Sequence, residues 1–212
     1  MKAVTDDLLP KLAAYVEAAI AEFDSIPEDR RSSLEHIAQA VSAKTGGGRK
    51  AQLTFICTHN SRRSHMSQLW AQTAAQVYGV SPVETYSGGT EATAFNPRAV
   101  AAVERAGFRT MKTDDGDNPV YEVRFGKTGP VMECFSKVYD QPPNPTEGFI
   151  AVMTCSAADE ACPIVYGADE RVAIPFEDPK AFDGTDRESE MYDERCRQIA
   201  REMLYLFSEI AS

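Results

Sequence analysis

The feature that most constrains the fold is a regular alternation of short apolar runs with helical stripes. Leu53-Thr54-Phe55-Ile56 is a β-rich run, Cys57 to Ser61 a polar turn, and Met66, Leu69, Trp70, Thr73 and Val77 recur at helical spacing up to Gly79. Val83 to Tyr86 reads as a second strand ending at Ser87-Gly88-Gly89, and Pro97 to Gly107 as a helix with glycine at its stop. Phe149 to Met153 and Arg171 to Ile174 read as further strands. A last helix from about Asp186 to Ile210 carries Tyr192, Cys196, Ile199, Met203, Leu206 and Ile210 on one face. Strands alternating with helices predict an α/β fold around a parallel sheet.

Two stretches stand outside the alternation. Residues 1–48 read as a two-helix extension of a domain spanning 49–212. Its first stripe is Leu9, Leu12, Val16, Ile20 and Phe23, with Pro10 tolerated in the first turn. Its second is Leu34, Ile37, Ala38 and Val41, stopped by Gly46-Gly47-Gly48. The other stretch is an insertion at about 112–148. Val120–Phe125 and Val131–Phe135 read there as a β-hairpin, followed by the loop Gln141-Pro142-Pro143-Asn144-Pro145.

Composition narrows the functions. Lys plus Arg is 22 against 32 for Asp plus Glu, a net charge of -10. So acidic a chain is a poor non-specific binder of nucleic acid or anionic membrane, and an anion must be caught by local geometry. No apolar run approaches the ~18 residues of a membrane span. The first residues carry no signal-peptide core, so a cytoplasmic protein is expected. The five cysteines are too scattered for a secreted disulfide scaffold and suit catalytic or redox roles in a reducing compartment. No His/Cys/Asp cluster has metal-ligand spacing, so neither a metal nor a bound cofactor is expected.

The turn Cys57-Thr58-His59-Asn60-Ser61-Arg62-Arg63-Ser64 carries the chemistry. A loop between a parallel strand and a helix N-terminus turns successive backbone N–H groups inward, a nest for a tetrahedral oxyanion. Thr58, His59, Asn60, Ser61, Arg62, Arg63 and Ser64 are its expected binding residues. The positive helix end and Arg63 are the surroundings in which a cysteine acts as a nucleophile. Arg63 can hold two oxyanion oxygens in its planar fork. Ser64 can donate a hydrogen bond to the Cys57 sulfur, and Asn60 suits a left-handed turn. His36 and His65, in helical segments, are expected to be structural.

A second cysteine pair follows a buried strand. Cys155 and Cys162 flank Ser156 to Ala161, where Ser156 with Asp159 reads as a capping box opening a short helical turn. Seven helical residues separate the two α-carbons by ~10 Å, whereas a disulfide needs them within ~7 Å. Pairing therefore demands that the turn unwind. Cys196 reads as core; Cys134, in the hairpin, receives no role.

The loop resembles that of the low-molecular-weight protein tyrosine phosphatase superfamily, which includes the thioredoxin-linked arsenate reductases. Tyr86-Ser87-Gly88-Gly89-Thr90, Asn96-Pro97 with its helix, and Glu177-Asp178-Pro179 extend the resemblance over about 51–110 and 149–210. It implies a three-layer α/β/α fold with a four-stranded parallel sheet, and Asp178, rather than its rival Glu177, as general acid. A strand, Cys155, six residues, Cys162 and Pro163 resembles the redox segment of the arsenate reductases. By that resemblance Cys57 attacks arsenate, Cys155 attacks the adduct, Cys162 attacks Cys155, and thioredoxin reduces the Cys155–Cys162 bond. His59 stands where the family usually has glycine, and Arg62 where many members have a second cysteine. Lys180-Ala181-Phe182 replaces the tyrosines that commonly flank a phosphotyrosine ring. A phosphatase acting through Cys57, Arg63 and Asp178 on a phosphotyrosine protein, or a non-catalytic oxyanion or redox sensor, are the alternatives.

Overall fold

In the computed structural model, which describes residues 4–162 and 164–211, four strands form a parallel sheet in the order β2-β1-β6-β7. They are β1 (Ala51–Cys57), β2 (Val83–Gly89), β6 (Phe149–Met153) and β7 (Ala168–Ala173). β1 is central and buried at every residue but Gln52, consistent with its mostly apolar sequence. Chain order runs outward from β1 to β2 and then crosses to β6 and β7. The β1/β6 boundary is thus the topological switch point, where open α/β sheets bind ligands beyond the carboxyl ends of their strands.

The two faces of the sheet are unequal. Leu53, Phe55, Ile150 and Val152 enter the main core together with α3 (Arg63–Tyr78), α4 (Pro97–Ala106), α6 (Glu188–Ala211) and the N-terminal helices α1 (Pro10–Ile20) and α2 (Glu28–Thr45). Ile56, Phe149, Ala151 and Met153 enter a smaller cluster under the short helix α5 (Ser156–Ala161). The α/β/α sandwich is thick on one side and thin on the other.

The N-terminal helices belong to this core. Leu12, Val16, Leu34, Ile37 and Val41 are fully buried, and α1 and α2 lie against α6. Pro10 opens α1 at the position where a missing N–H costs nothing. The Cβ of any residue replacing Gly107 would lie 2.4 Å from the Leu12 nitrogen, and its φ of 116° already favours glycine. That close approach seats α1 against the end of α4.

The insertion departs from a simple hairpin. β4 (Tyr121–Arg124) and β5 (Met132–Cys134) pair antiparallel as expected, but β3 (Arg109–Lys112) adds an outer strand, making a second sheet in the order β3-β4-β5. β3 escapes a pattern reading because its residues are mostly exposed and carry no apolar alternation. The segment after β5 returns along the edge of β2, where Val138 bridges to Gly89.

Candidate active site

The expected loop spans the carboxyl end of β1 and the start of α3. Cys57 ends the strand, nearly buried, and its Sγ lies 3.1 Å from Ser64 Oγ. Ser64 Oγ in turn accepts from Asn60 Nδ2 at 2.9 Å. Asn60 has φ 44°, the only non-glycine residue with positive φ among those described, as its short amide side chain allows. The first helical bond runs from Met66 N–H to the Arg62 carbonyl, and no N–H from Thr58 to Arg62 is committed to another backbone carbonyl. The loop therefore keeps a run of backbone donors at a helix end.

The loop is braced from behind by residues that sequence reading did not single out. Lys137 N–H donates to Asn60 Oδ1, and Ser136 Oγ donates to the His59 carbonyl. Thr90 and Glu91 N–H groups bond the carbonyls of Cys57 and Thr58. A Cβ on Gly89 would lie 2.6 Å from the Thr58 oxygen and 2.7 Å from the Asn60 nitrogen, so the loop fits only against a glycine. The Tyr86-Ser87-Gly88-Gly89 motif was the available signal for that position.

The arginines divide the work. Arg63 Nη2 lies 2.7 Å from Asp178 Oδ2, Nη1 donates to the Phe176 carbonyl, and Nε is buried with no partner. A buried, unspent guanidinium N–H beside a nest of backbone donors is what a bound oxyanion would satisfy. Arg62 turns away, donating to Tyr192 Oη at 3.1 Å and approaching Asp178 at 3.6 Å. Its side chain props the loop against α6. Asp178 thus faces the loop, held also by the Lys180 N–H, while Glu177 is exposed.

Burial settles the remaining candidates. His65 is fully buried, stacked on Phe95 and bonded to Ser87, and desolvation holds its pKa well below the usual histidine range. It is a neutral structural residue. His36 is an exposed residue within 3.6 Å of Glu170. His59, half-buried, lies 3.2 Å from Glu91. With Arg62, Thr93, Asp117 and Lys180 it lines a cavity of about 560 Å³ beside the loop. Cys134 and Cys196 are buried, and desolvation pushes both thiols up to about 12.

The redox segment lies beside the loop. Cys155 follows β6, buried, with its Sγ 3.5 Å from Thr58 Oγ1. Cys57 and Cys155 share the small apolar cluster, and Cys162 packs at its margin. All three are free thiols. The capping box expected at Ser156 is corrected: the cap is Cys155, whose Sγ accepts from Ala158 N–H, and Ser156 is already helical. Extended backbone at Cys155 moves the cap one residue back. Pro163 lies outside the described residues. Among the described residues no group of three His, Cys, Asp or Glu could hold a metal, and no helix is long and apolar enough to cross a membrane.

Comparison with known proteins agrees with this geometry. The family model "Low molecular weight phosphotyrosine protein phosphatase" matches residues 52–114, the segment from β1 past β3 that holds the loop. Over that segment the chain is similar to the low-molecular-weight phosphotyrosine phosphatase superfamily. The chain is also similar to an arsenate reductase of Halalkalibacterium halodurans, 28% identical over 160 residues, covering 76% of this chain and 96% of that protein. It is likewise 28% identical over 155 residues to an arsenate reductase of Bacillus subtilis, covering 73% and 93%. Among superfamily structures, an arsenate reductase in the phosphate-binding state superposes with a TM-score of 0.51 at 17% identity, covering 76% of this chain and 98% of that one. A low-molecular-weight phosphotyrosine phosphatase from Vibrio cholerae O395 gives 0.51 at 12% identity, covering 74% and 95%. These relatives and the matching family model are of the arsenate reductase and low-molecular-weight phosphatase types.

Proposed function

We propose that the protein reduces arsenate to arsenite through Cys57, Cys155 and Cys162, with a thioredoxin-like dithiol protein as external reductant. The observation that carries this reading is the placement of Cys155 against Thr58, beside Cys57, in one apolar cluster that Cys162 borders. A phosphatase needs only the loop and an acid; a second buried thiol at that position has a use in a reductase.

Arsenate enters the loop, held by the backbone donors and the Arg63 fork. Arg63 then exchanges Asp178 for oxyanion oxygens. Cys57 thiolate attacks arsenic, and Asp178 in its acid form protonates the departing oxygen, which leaves as water. Cys155 thiolate attacks Cys57 Sγ. A sulfur–sulfur bond forms, the electron pair of the sulfur–arsenic bond stays on arsenic, and arsenite departs. Cys162 thiolate attacks Cys155 Sγ, forming the Cys155–Cys162 disulfide and returning Cys57 as thiolate. The external dithiol supplies the two electrons that reopen that disulfide.

The cavity beside the loop supports a small inorganic substrate. Among the described residues lining it there is no Phe, Tyr or Trp, and Phe182 instead lies under Arg187, whose guanidinium sits 5.3 Å from the ring centre. The test supplies arsenate with thioredoxin, its reductase and NADPH, and an aryl phosphate without reductant. Arsenate-dependent NADPH oxidation that Cys155→Ala abolishes is expected. Full arsenate turnover in that variant refutes the relay, aryl phosphate hydrolysis alone favours the phosphatase, and silence in both assays favours a sensor.

A further inference from the structure

We propose that Arg171 is a latch on the redox helix, setting how readily Cys155 and Cys162 join; the inference rests on the relay proposed above. α5 has six residues, too few to hold a helix by its own hydrogen bonds. What holds it comes from both ends. At its start the Cys155 sulfur accepts from Ala158 N–H at 3.4 Å. At its end Arg171 reaches over from β7. Its Nη2 donates to the Asp159 carbonyl at 2.8 Å and to Asp159 Oδ1 at 2.5 Å, and its Nε donates to the Cys162 carbonyl at 3.1 Å. A guanidinium on the last carbonyls of a helix satisfies acceptors that lack intrahelical partners and opposes the negative end of the helix.

Arg171 is anchored where α5 is not. Its backbone is paired in register with Ala151 in the sheet. The latch therefore stays while the helix moves. Forming the Cys155–Cys162 bond draws the Cys155 sulfur away from its capping role and unwinds the turn, which pulls the Cys162 carbonyl off Arg171 Nε. The dithiol state keeps these contacts and the disulfide state loses them. Arg171 thus biases the pair toward the reduced form and keeps the disulfide easy for an external dithiol to reopen. Its pair with Asp159 is partly exposed, the two side chains retaining 25% and 33% of their accessibility, so removing it leaves no buried charge behind.

The test uses the full chain with Cys57→Ser, so that Cys155 and Cys162 can pair only with each other among the cysteines of the site. The protein, with and without Arg171→Ala, is equilibrated against mixtures of oxidised and reduced dithiothreitol, alkylated and read by mass spectrometry. Two thiols yield their protons and an electron pair to oxidised dithiothreitol as the disulfide forms. The constant for disulfide formation is expected to rise about tenfold in Arg171→Ala, with Arg171→Lys, which keeps charge but loses the fork, in between. Equal constants within twofold overturn the latch and leave the relay standing. A Cys155–Cys162 disulfide that forms in neither protein overturns the relay and the latch with it. Inorganic phosphate affinity, measured by calorimetry with Cys57 intact, is expected to be unchanged by Arg171→Ala; a parallel fall would mark general loosening and overturn the latch as a specific device.

Discussion

Replacing Arg30 by methionine tests whether the N-terminal helices are part of the catalytic domain's structure. Arg30, on α2, lies with its Nε 2.7 Å from Glu202 Oε2, and Glu202 retains only 1% of its side-chain accessibility. Nη2 donates to the Ile174 carbonyl at 3.1 Å, and the guanidinium sits 4.6 Å from the centre of the Phe176 ring. Removing one partner of a buried pair costs ~3–5 kcal/mol, because the survivor is left charged and unpaired. Arg30 keeps 14% of its accessibility and Gln198 Nε2 still donates to Glu202, so the cost falls just below that range, about 2–3 kcal/mol. At ~2–4 °C per kcal/mol for a chain of this size, the midpoint falls by about 5–10 °C. Urea denaturation of Arg30→Met, Glu202→Met and the double variant measures the coupling. The double variant is expected to recover at least half of the Arg30→Met loss. A single-variant loss below about 0.5 kcal/mol, or additive losses, would show that Arg30 and Glu202 are not coupled. Turnover is expected to fall more than oxyanion affinity, because the Ile174–Phe176 segment that Arg30 grips leads directly to Asp178.

Three further outcomes follow from the same contacts. Gly89→Ala is expected to abolish turnover and phosphate binding together, since its methyl would lie within 2.7 Å of loop backbone atoms; binding retained at wild-type affinity would show that the loop can yield. Lys137 is buried and its amine is pushed down from 10.5 to about 8, chiefly by desolvation. Below pH 8 both states are protonated and the burial penalty is fully present. Above it the folded state sheds its proton before the unfolded state does, so stability rises with pH. The stability of wild type minus that of Lys137→Met should increase by about 2 kcal/mol from pH 7 to 9.5; a flat difference would contradict it. Iodoacetamide on the native protein at pH 8 should leave Cys134 and Cys196 unmodified by mass spectrometry, their thiols being held near 12; labelling of either without unfolding would count against their burial.

Much of the site was legible because it is local in sequence. The apolar run before Cys57 and the stripe after Arg63 place a strand and a helix on either side of one turn, and that placement alone implies an oxyanion nest. Cys155 and Cys162 were visible for the same reason, flanking a short segment after a buried strand. What escaped was long-range. Nothing near Ser136 or Lys137 marks them as braces of a loop more than seventy residues earlier. Arg30 reads as one charge on an exposed helix face until α2 packs on α6. Arg171 reads as a strand residue until its side chain crosses to α5. β3 was invisible because an exposed edge strand has no apolar pattern to betray it. The cap of α5 was misplaced by one residue because cysteine is a weak acceptor that capping patterns do not include.

The central claim is that Cys155 takes the next step after Cys57. The most direct measurement is a single turnover of Cys162→Ser with arsenate and no reductant, followed by acid quench, alkylation and peptide mass spectrometry. One Cys57–Cys155 disulfide per arsenite released is expected, with the enzyme halted there. Arsenite released without that disulfide, or a Cys57 adduct that hydrolyses while Cys155 remains a thiol, would contradict it.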